Sequence, residues 1–426
     1  MKTKTALVIH NQEKNRQSYN ALLGSLEGDP FFDNLSVFIF KKEEEVHQNA
    51  EEILENHPNV VFAVSFSSVQ IWPLAEELKR FRKSYTEKAV FIAGGPHPTG
   101  DPLGTLRMGF DLVFIGEAEE SIRDFFRVLD EGGDYRSIKG TAYLKTENLI
   151  TNPRRELADL NLYQSYSIRY HQYNSLEITR GCPFGCSFCQ TSRLFGGHVR
   201  HRSPNFIARC IRDYRKNQLP DIRIITPDAF AYGSEDGKTI RPDRVEALLS
   251  TAHAELGKTG RLFFGSFPSE VRPEHVTPEM LALVSRFAPH GSIVIGGQSG
   301  SSRLLEHCHR GHGTSEILNA ARLTAKMGFK TYIDFIFGLP GETEDDIRET
   351  IALMKELTGI GAKIHSHYFL PLPGTPFYEQ AEIREMSDYE ETVRRLTPFG
   401  MLSGSWRIQK KLAEKLIRYR DTGVIE

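Results

Sequence analysis

Three of the five cysteines lie close together, because residues 181–189 read Gly-Cys-Pro-Phe-Gly-Cys-Ser-Phe-Cys. Thiolates are soft ligands that select iron–sulfur clusters or zinc. A [4Fe–4S] cluster normally takes four protein ligands, so three cysteines leave one iron open to another molecule. The glycines at 181 and 185 allow tight turns that bring the sulfurs together. The spacing therefore predicts one metal cluster on Cys182, Cys186 and Cys189.

A structural zinc ion is the alternative metal that this loop could bind. It needs a fourth cysteine or histidine in register, whereas Cys210 and Cys308 are distant in sequence and lack partners at zinc spacing. The run 306–312 holds three histidines and a cysteine, but neighbouring helical positions face different ways and do not converge on one ion. The odd number of cysteines argues against a disulfide framework and fits a reducing compartment.

The elements that must position the cysteine loop form a series of alternating strands and helices. Strands are predicted at 176–179, 222–226, 261–266, 292–296, 331–337 and 363–370. Six strand–helix units are too few for a closed eight-stranded barrel and predict a partial, open one. Thr343 and Asp346 predict a capping box at the start of the last of these helices.

The front of the chain predicts a separate α/β domain. Strands are expected at 5–10, 35–40, 60–66, 89–93 and 112–115, each followed by a helical pattern, which is typical of an open parallel sheet. Ligands of such sheets bind at the carboxyl ends of the strands. The small or polar residues at these ends are Ser65, Ser67, Ser68, Gly94, Gly95, Gly116 and Glu117. We expect a Rossmann-like, flavodoxin-like domain at 1–130, a linker at 131–174, a barrel at 175–378 and a helical C-terminal segment at 379–426.

The cysteine loop resembles the hallmark of the radical S-adenosylmethionine (SAM) superfamily. Three cysteines are separated by three and then two residues, with the aromatic Phe188 before the last. The resemblance covers about 176–378 and implies a partial (βα)6 barrel with a [4Fe–4S] cluster whose open iron is chelated by SAM. It further implies that one electron cleaves SAM to a 5′-deoxyadenosyl radical, which removes a hydrogen atom from the substrate.

Several strand ends resemble segments that contact SAM in this superfamily. Residues 295–301 resemble the fourth-strand motif, although Gln298 stands where most members have glutamate. Residues 337–343 and 370–376 resemble the segments that follow strands five and six, and Glu270 and Arg272 follow strand three. The resemblance implies SAM contacts at Phe188, Thr226, Asp228, Ser266, Gln298, Ser299 and Leu370.

The front domain resembles the cobalamin-binding domain that precedes many radical SAM domains. The resemblance rests on residues 91–98 and 114–119 and implies that cobalamin binds at the strand ends named above. The Asp-x-His-x-x-Gly motif that gives cobalt a histidine in other cobalamin proteins is missing, since residues 10–15 read His-Asn-Gln-Glu-Lys-Asn. His97 is expected in a capped turn rather than on cobalt. A vestigial, empty domain is the alternative.

The two resemblances together imply a radical SAM enzyme, and we expect a cobalamin-dependent C-methyltransferase that acts on an unactivated carbon. One alternative is a rearrangement, cyclisation or oxidation without methyl transfer. Another is a non-enzymatic sensor or binding protein that uses the cluster or the corrinoid. The chain lacks the extra N-terminal cysteines and the C-terminal RNA-binding module of tRNA methylthiotransferases, which argues against that activity.

Composition places the chain among ordinary globular proteins. Its 426 residues are 39% hydrophobic and 25% charged, and the formal net charge of −2 makes nucleic acid an unlikely partner. The first apolar run is too short for a signal peptide, and no stretch reaches the length of a membrane span, so we expect a cytoplasmic protein. The expected partners are an electron donor such as ferredoxin or flavodoxin and a small-molecule or peptide substrate that no motif identifies.

Overall fold

The computed structural model describes residues 4–11, 16–85, 88–173, 175–383, 387–397 and 401–423. The chain divides into two compact units. The first comprises Met1–Asn174, Leu372–Gly374 and Tyr419–Glu426, and the second comprises Ser175–Pro371 and Thr375–Arg418. Among the residues described, no helix is both long enough and apolar enough to cross a membrane.

The first unit is built on a seven-stranded sheet. Its strands are β1 (Thr5–His10), β2 (Ser36–Phe40), β3 (Asn59–Ser65), β4 (Ala89–Gly94), β5 (Leu112–Phe114), β6 (Thr141–Lys145) and β7 (Asn148–Thr151). They are ordered β2-β1-β3-β4-β5-β6-β7, and the first five run parallel. The order 2-1-3-4-5 is that of a flavodoxin-like sheet and confirms the predicted fold class.

Helices cover this sheet on both faces, as the apolar strands require. They are α1 (Arg16–Leu26), α2 (Glu43–Gln48), α3 (Ala50–Asn56), α4 (Ile71–Tyr85), α5 (Pro96–Gly100), α6 (Pro102–Arg107) and α7 (Glu119–Asp130). Every residue of β1 is buried, which is typical of a central parallel strand. The sequence pattern predicts one helix over 43–56, but Asn49 divides it, and its side-chain amide donates to the carbonyl of Glu45 at 2.8 Å.

The stretch predicted as a linker contributes two strands to the sheet. β6 pairs antiparallel with β5, and β7 pairs antiparallel with β6. These strands are short, and β7 is exposed or half-buried throughout. They therefore lack the continuous apolar run that marked the central strands.

The second unit holds a succession of short strands. They are β8 (Leu176–Glu177), β9 (Thr179–Arg180), β10 (Arg200–His201), β11 (Asp221–Ile225), β12 (Arg261–Phe263), β13 (Ile293–Gln298), β14 (Thr331–Phe337), β15 (Lys363–Tyr368) and β16 (Leu402–Ser403). One parallel row is β12-β11-β8 and another is β13-β14-β15-β16, and a bridge between Val271 and Ile295 joins them. Six parallel strands lie where the sequence predicts them.

Helices alternate with these strands. They are α8 (Thr191–Phe195), α9 (Pro204–Lys216), α10 (Pro242–Leu256), α11 (Pro278–Phe287), α12 (Ser302–His307), α13 (Thr314–Lys326), α14 (Glu344–Gly359), α15 (Ser387–Leu396) and α16 (Trp406–Asp421). Proline opens α9, α10 and α11, where its missing N–H costs no helical hydrogen bond. The capping box is confirmed, since Thr343 Oγ1 accepts from the Asp346 N–H at 3.3 Å and the Asp346 carboxylate accepts from the Thr343 N–H at 2.7 Å.

Candidate active site

The cysteine loop connects β9 to α8 and is held by its own backbone. The Cys182 N–H donates to the Gly196 carbonyl at 3.1 Å, and the Cys189 N–H donates to the Cys186 carbonyl at 3.0 Å. Gly181 has φ +92°, and a Cβ there would lie 2.1 Å from the His198 carbonyl oxygen. Only glycine therefore fits at the entry to the loop.

The three cysteines line one cavity of about 850 Å³ in the second unit. The cavity lies at the carboxyl-terminal side of the parallel strands, where barrels of this kind carry their active sites. Polar side chains from five different strands or the loops after them share its wall: Thr226, Asp228, Ser266, Glu270, Gln298, Arg310, Asp334, His365 and His367.

The thiols are poorly hydrated, and this bears on what they can bind. Burial raises the pKa of Cys182 to about 11 and also raises the pKa of Cys189. Thiolates here consequently need a cationic partner. Arg310 supplies part of the charge, since its buried guanidinium donates to Cys186 Sγ at 3.4 Å and to the Gly296 carbonyl at 2.8 Å. Three convergent soft donors beside a fixed cation fit a metal–sulfur cluster.

A carboxylate lies beside the glutamine that departs from the superfamily pattern. Gln298 has φ +72° at an irregularity in the pairing of β13 with β14, and its amide nitrogen donates to Glu270 Oε2 at 3.5 Å. Desolvation raises the pKa of Glu270 to about 7, against the opposing effect of the positive charge of Arg310. The fold thus places a carboxyl group next to Gln298 from a different strand end.

Asp228 is fixed by two hydrogen bonds on the same wall. Its Oδ1 accepts from the Phe230 N–H at 3.1 Å, and its Oδ2 lies 2.5 Å from His275 Nδ1. Burial lowers the pKa of His275, but the hydrogen bond to Asp228 and the negative charges of Asp228 and Glu274 together outweigh burial, so the pKa rises overall. The contact with Asp228 therefore favours the charged form of His275.

In the first unit, the carboxyl ends of β3 and β4 are packed tightly. Gly95 has φ +97°, and a Cβ there would lie 2.6 Å from Ser65 Oγ. The Ser65 N–H donates to the Tyr19 hydroxyl at 3.0 Å, and the Gly116 N–H donates to Thr99 Oγ1 at 3.0 Å. At this edge of the sheet, a ligand would meet closely packed backbone rather than free side chains.

Most polar side chains of this edge are engaged with one another. Ser68 Oγ lies 2.9 Å from His97 Nδ1, and both residues are fully buried. Ser67 Oγ donates to the side-chain oxygen Oε1 of Gln70 at 3.0 Å, and Glu117 Oε2 accepts from the Ala158 N–H at 3.3 Å. Burial lowers the pKa of His97 to about 3. His97 thus lies in the short helix α5 and is held by Ser68, rather than in the capped turn that the sequence predicts.

Family models match both units. Residues 176–354 match the model of the radical SAM superfamily, and residues 22–126 match the model of the B12 binding domain. The chain carries a B12-binding domain followed by a radical SAM domain. These matches support the cofactors that the sequence predicts, which are a [4Fe–4S] cluster and SAM for the second domain and cobalamin for the first.

Curated relatives match about 70% of the chain at low identity. An uncharacterised protein of Methanopyrus kandleri is 27% identical over an alignment of 351 positions that covers 71% of this chain and 65% of that protein. An uncharacterised methyltransferase of Pyrococcus horikoshii is 24% identical over an alignment of 324 positions that covers 72% of this chain and 66% of that protein. The chain therefore spans less than two thirds of the length of these relatives.

Solved structures share the fold. The radical SAM methyltransferase TsrM from Kitasatospora setae, with cobalamin and a [4Fe–4S] cluster bound, superimposes with a TM-score of 0.69 at 14% identity and covers 89% of this chain and 74% of its own. The cobalamin-dependent SAM radical enzyme OxsB, with aqua-cobalamin bound, gives 0.66 at 16% identity and covers 82% of this chain and 52% of its own. At these identities the likeness establishes the arrangement of elements.

The radical SAM domain brings most of the predicted SAM contacts together. The residues that line the cavity with the cysteines are Phe188, Thr226, Asp228, Ser266 and Gln298. Ser299 is buried against Thr350, with their hydroxyl oxygens 3.2 Å apart, and Leu370 follows the end of β15; neither belongs to the cavity wall. The assignment of all seven to SAM stays a prediction.

In the B12-binding domain, the seven predicted residues divide into two groups. Ser65, Gly94, Gly95 and Gly116 lie at or just beyond the ends of β3, β4 and β5. The hydroxyls of Ser67 and Ser68 and the carboxylate of Glu117 have the local partners described above. The half-buried glycine backbone fits a ligand that is bound by shape and main-chain contacts. The contacts to cobalamin stay predictions.

The structure tests two possible metal ligand sets, namely a fourth ligand from Cys308 and a cluster of the histidines in 306–312. Cys308 is remote in sequence but packs near Cys186 in a hydrophobic cluster with Leu304 and Leu339, outside the cavity wall. It thus gives the loop no fourth ligand on the cavity side. The histidines of 306–312 disperse, because His307 contacts the ring of Phe377 while His309 Nδ1 lies 3.1 Å from the Ser187 hydroxyl.

The sequence alone does not identify several residues that line the cavity. Arg310 lies in the segment 306–312, whose histidines and cysteine indicate only a possible metal cluster. Asp334, His365 and His367 lie inside predicted strands. The sequence does contain a pattern that could have identified Asp334, His365 and His367. An acidic residue interrupts the apolar strand 331–337, and histidines recur with period two in the strand that follows.

Proposed function

We propose that the protein is a cobalamin-dependent radical SAM enzyme that transfers a methyl group to an unactivated carbon of a small-molecule or peptide substrate. The observation that carries the proposal is the cavity of about 850 Å³ lined by Cys182, Cys186 and Cys189, in a chain that also has a B12-binding domain. When bound, the cluster with SAM supplies a radical that removes a hydrogen atom, and cobalamin supplies a carrier for the methyl group.

Three cysteines hold the cluster in this proposal and leave one coordination position to the amino and carboxylate groups of SAM. Arg310 offsets the negative charge of the thiolates from its position beside Cys186. Glu270 and Gln298 offer an adjacent acceptor and donor for polar groups of SAM. The remainder of the cavity is left for the substrate, which explains its size.

The similar proteins support this reaction class. Methyl transfer is part of the name of TsrM and of the relative from Pyrococcus horikoshii, and both TsrM and OxsB are described with cobalamin. Cleavage of SAM consumes an electron, so the proposal includes a donor such as ferredoxin or flavodoxin. A strong chemical reductant serves in its place in vitro.

The test is an anaerobic reconstitution with iron, sulfide and hydroxocobalamin, followed by turnover of SAM that carries a deuterated methyl group. A small-molecule extract serves as the source of substrate. We expect 5′-deoxyadenosine and S-adenosylhomocysteine to form together, and the deuterated methyl group to appear on a carbon of an extract component. The matched control is Cys182→Ala, which should form neither product.

Each other outcome identifies a different function. Formation of 5′-deoxyadenosine alone, with no S-adenosylhomocysteine under any reductant, would overturn methyl transfer in favour of a rearrangement, cyclisation or oxidation. Absence of both products from protein loaded with cluster and corrinoid would overturn the enzyme and leave a sensor or binding protein.

A further inference from the structure

Asp334, His365 and His367 share one face of two neighbouring strands. In the parallel pairing of β14 with β15, Asp334 lies opposite His365. Side chains on a strand alternate between faces, so His367 lies on the same side as His365. All three are half-buried and line the cavity, whereas Phe335 and Ser366 between them are buried on the other side.

The ligand atoms of these three residues converge. Asp334 Oδ1 and His365 Nδ1 are 3.2 Å apart, and the two imidazole ring centroids are 4.4 Å apart at an angle of 75°. One ligand atom from each residue lies within 4.8 Å of the others. Bonds of about 2 Å to one ion put its ligand atoms roughly 3–4 Å apart, so small side-chain rotations complete the site.

We propose that Asp334, His365 and His367 bind a divalent transition-metal ion of the class of Zn²⁺, Co²⁺ or Fe²⁺. Two imidazoles and one carboxylate are a donor set that these ions prefer over Mg²⁺ or Ca²⁺. Three protein ligands leave coordination positions open. Because the residues line the cavity, an oxygen or nitrogen of a bound molecule takes an open position. The site is separate from the cysteine loop and does not depend on the proposed function.

Gln409 sets the affinity of this site. Its carbonyl oxygen accepts from the Tyr368 N–H at 3.0 Å, so its amide nitrogen faces His367 Nδ1 at 3.2 Å. Ligation through His367 Nε2 places the ring proton on Nδ1, where an acceptor is then needed. Gln409 must turn its oxygen to that proton and release the Tyr368 N–H. We therefore expect moderate native affinity.

This contact provides a substitution that should gain function. In Gln409→Glu, one carboxylate oxygen keeps the Tyr368 N–H and the other accepts from His367 Nδ1. Carboxylates behind a metal-bound histidine raise its basicity and change affinity by about 10–100-fold. We expect Gln409→Glu to bind the ion at least tenfold more tightly than the native chain. A histidine pair that served only in packing would show no such gain.

The experiment is an anaerobic titration with Co²⁺, and then Zn²⁺, of the full chain in which Cys182, Cys186 and Cys189 are all alanine. Removal of these thiols leaves the loop without a competing site and makes the result independent of the cluster. We expect one ion per chain, with visible Co²⁺ bands of nitrogen and oxygen ligation. If the triple variant does not fold, zinc content and X-ray absorption of the cluster-loaded protein report the same site.

Variants decide whether the ion occupies the proposed residues. His365→Ala and His367→Ala should each weaken binding at least tenfold, while His253→Ala, on the exposed side of α10, should not change it. Far-ultraviolet circular dichroism checks folding. The proposal is overturned if folded protein and Gln409→Glu bind no ion. It is equally overturned if the two histidine variants bind as tightly as the parent, which would indicate an adventitious ion only.

Discussion

The strand ends of the two domains contrast in what they present to a ligand. In the radical SAM domain, polar side chains from separate connecting segments approach one another at the cavity, as Arg310 does with Cys186 and Glu270. In the B12-binding domain, glycines form much of the edge, and the buried side chains of Ser68 and His97 contact each other. Both edges belong to parallel sheets, yet the first is built for side-chain chemistry and the second for close approach of the backbone.

This difference indicates how each edge tolerates change. Charges in a poorly hydrated wall depend on their partners, so removal of one group leaves another uncompensated. A glycine edge depends on backbone conformation, so the addition of a single methyl group is the damaging change. Substitutions should therefore affect the first edge through charge and the second through shape.

The largest expected effect is at the cysteine loop. Cys182→Ala removes one of the three proposed cluster ligands, and we expect bound iron and 5′-deoxyadenosine formation to fall to background. Iron analysis and chromatography measure the two quantities. Cys210→Ala, buried in α9 away from the loop, is the matched control and should retain the native iron content. Native iron in Cys182→Ala would refute the ligand set.

The next effect tests the charge network. Arg310→Met removes the buried cation from Cys186 and Glu270, and we expect a loss of about 3 kcal/mol in the free energy of unfolding, with impaired SAM cleavage. Arg286→Met breaks an exposed ion pair with Glu246 and should cost less than about 1 kcal/mol. Denaturant unfolding measures both. Adding Glu270→Gln to Arg310→Met should recover part of the loss, and a further loss would contradict the network.

The shape of the other edge is tested with alanine. Gly95→Ala adds a Cβ 2.6 Å from Ser65 Oγ at φ +97°, and we expect a loss of about 2–4 kcal/mol together with weaker corrinoid binding. Gly132→Ala also has positive φ but meets no atom within 4 Å, so about 1 kcal/mol is expected and corrinoid binding should be unchanged. Corrinoid absorbance after gel filtration reads out binding. Equal losses of stability and of corrinoid binding in the two variants would contradict the claim that backbone shape determines how this edge binds a ligand.

The smallest effect concerns pH. The folded pKa of Glu270 is about 7, above the ordinary 4.5, so the folded state holds a proton that the unfolded state has lost between these values. Its contribution to stability consequently falls as pH rises from about 4.5 to 7. Glu270→Gln removes this loss, and the variant should gain stability on the native protein as the pH rises across that window, with a constant difference above it. Parallel pH profiles of the unfolding free energy would show that Glu270 is not desolvated.

The contrast between the edges also explains what the sequence could predict. The strands that position the cavity are apolar runs bounded by turns, and prolines and the Thr343–Asp346 pair mark the helix starts. The cysteine ligands are local in sequence and so are recognisable by spacing alone. The pairing of Glu270 with Gln298 cannot be recognised from spacing, because it joins two strand ends of the barrel that are distant in sequence.

Other features were hidden for the same physical reason. Asp334 and His365 are 31 residues apart and become neighbours only through the register of β14 and β15. The antiparallel pair β6 and β7 within 131–174 is short and partly exposed, so hydrophobic periodicity does not reveal it. The inward hydrogen bond of Ser68 to His97 likewise depends on a turn geometry that composition does not encode.

The central claim is that three cysteines hold a cluster with an iron left open for SAM. The most direct measurement is the electron paramagnetic resonance spectrum of the reduced, anaerobically reconstituted protein with and without SAM. The account predicts that SAM changes the spectrum of the wild-type cluster, because its amino and carboxylate groups occupy the open iron. A cluster spectrum that SAM leaves unchanged would contradict it.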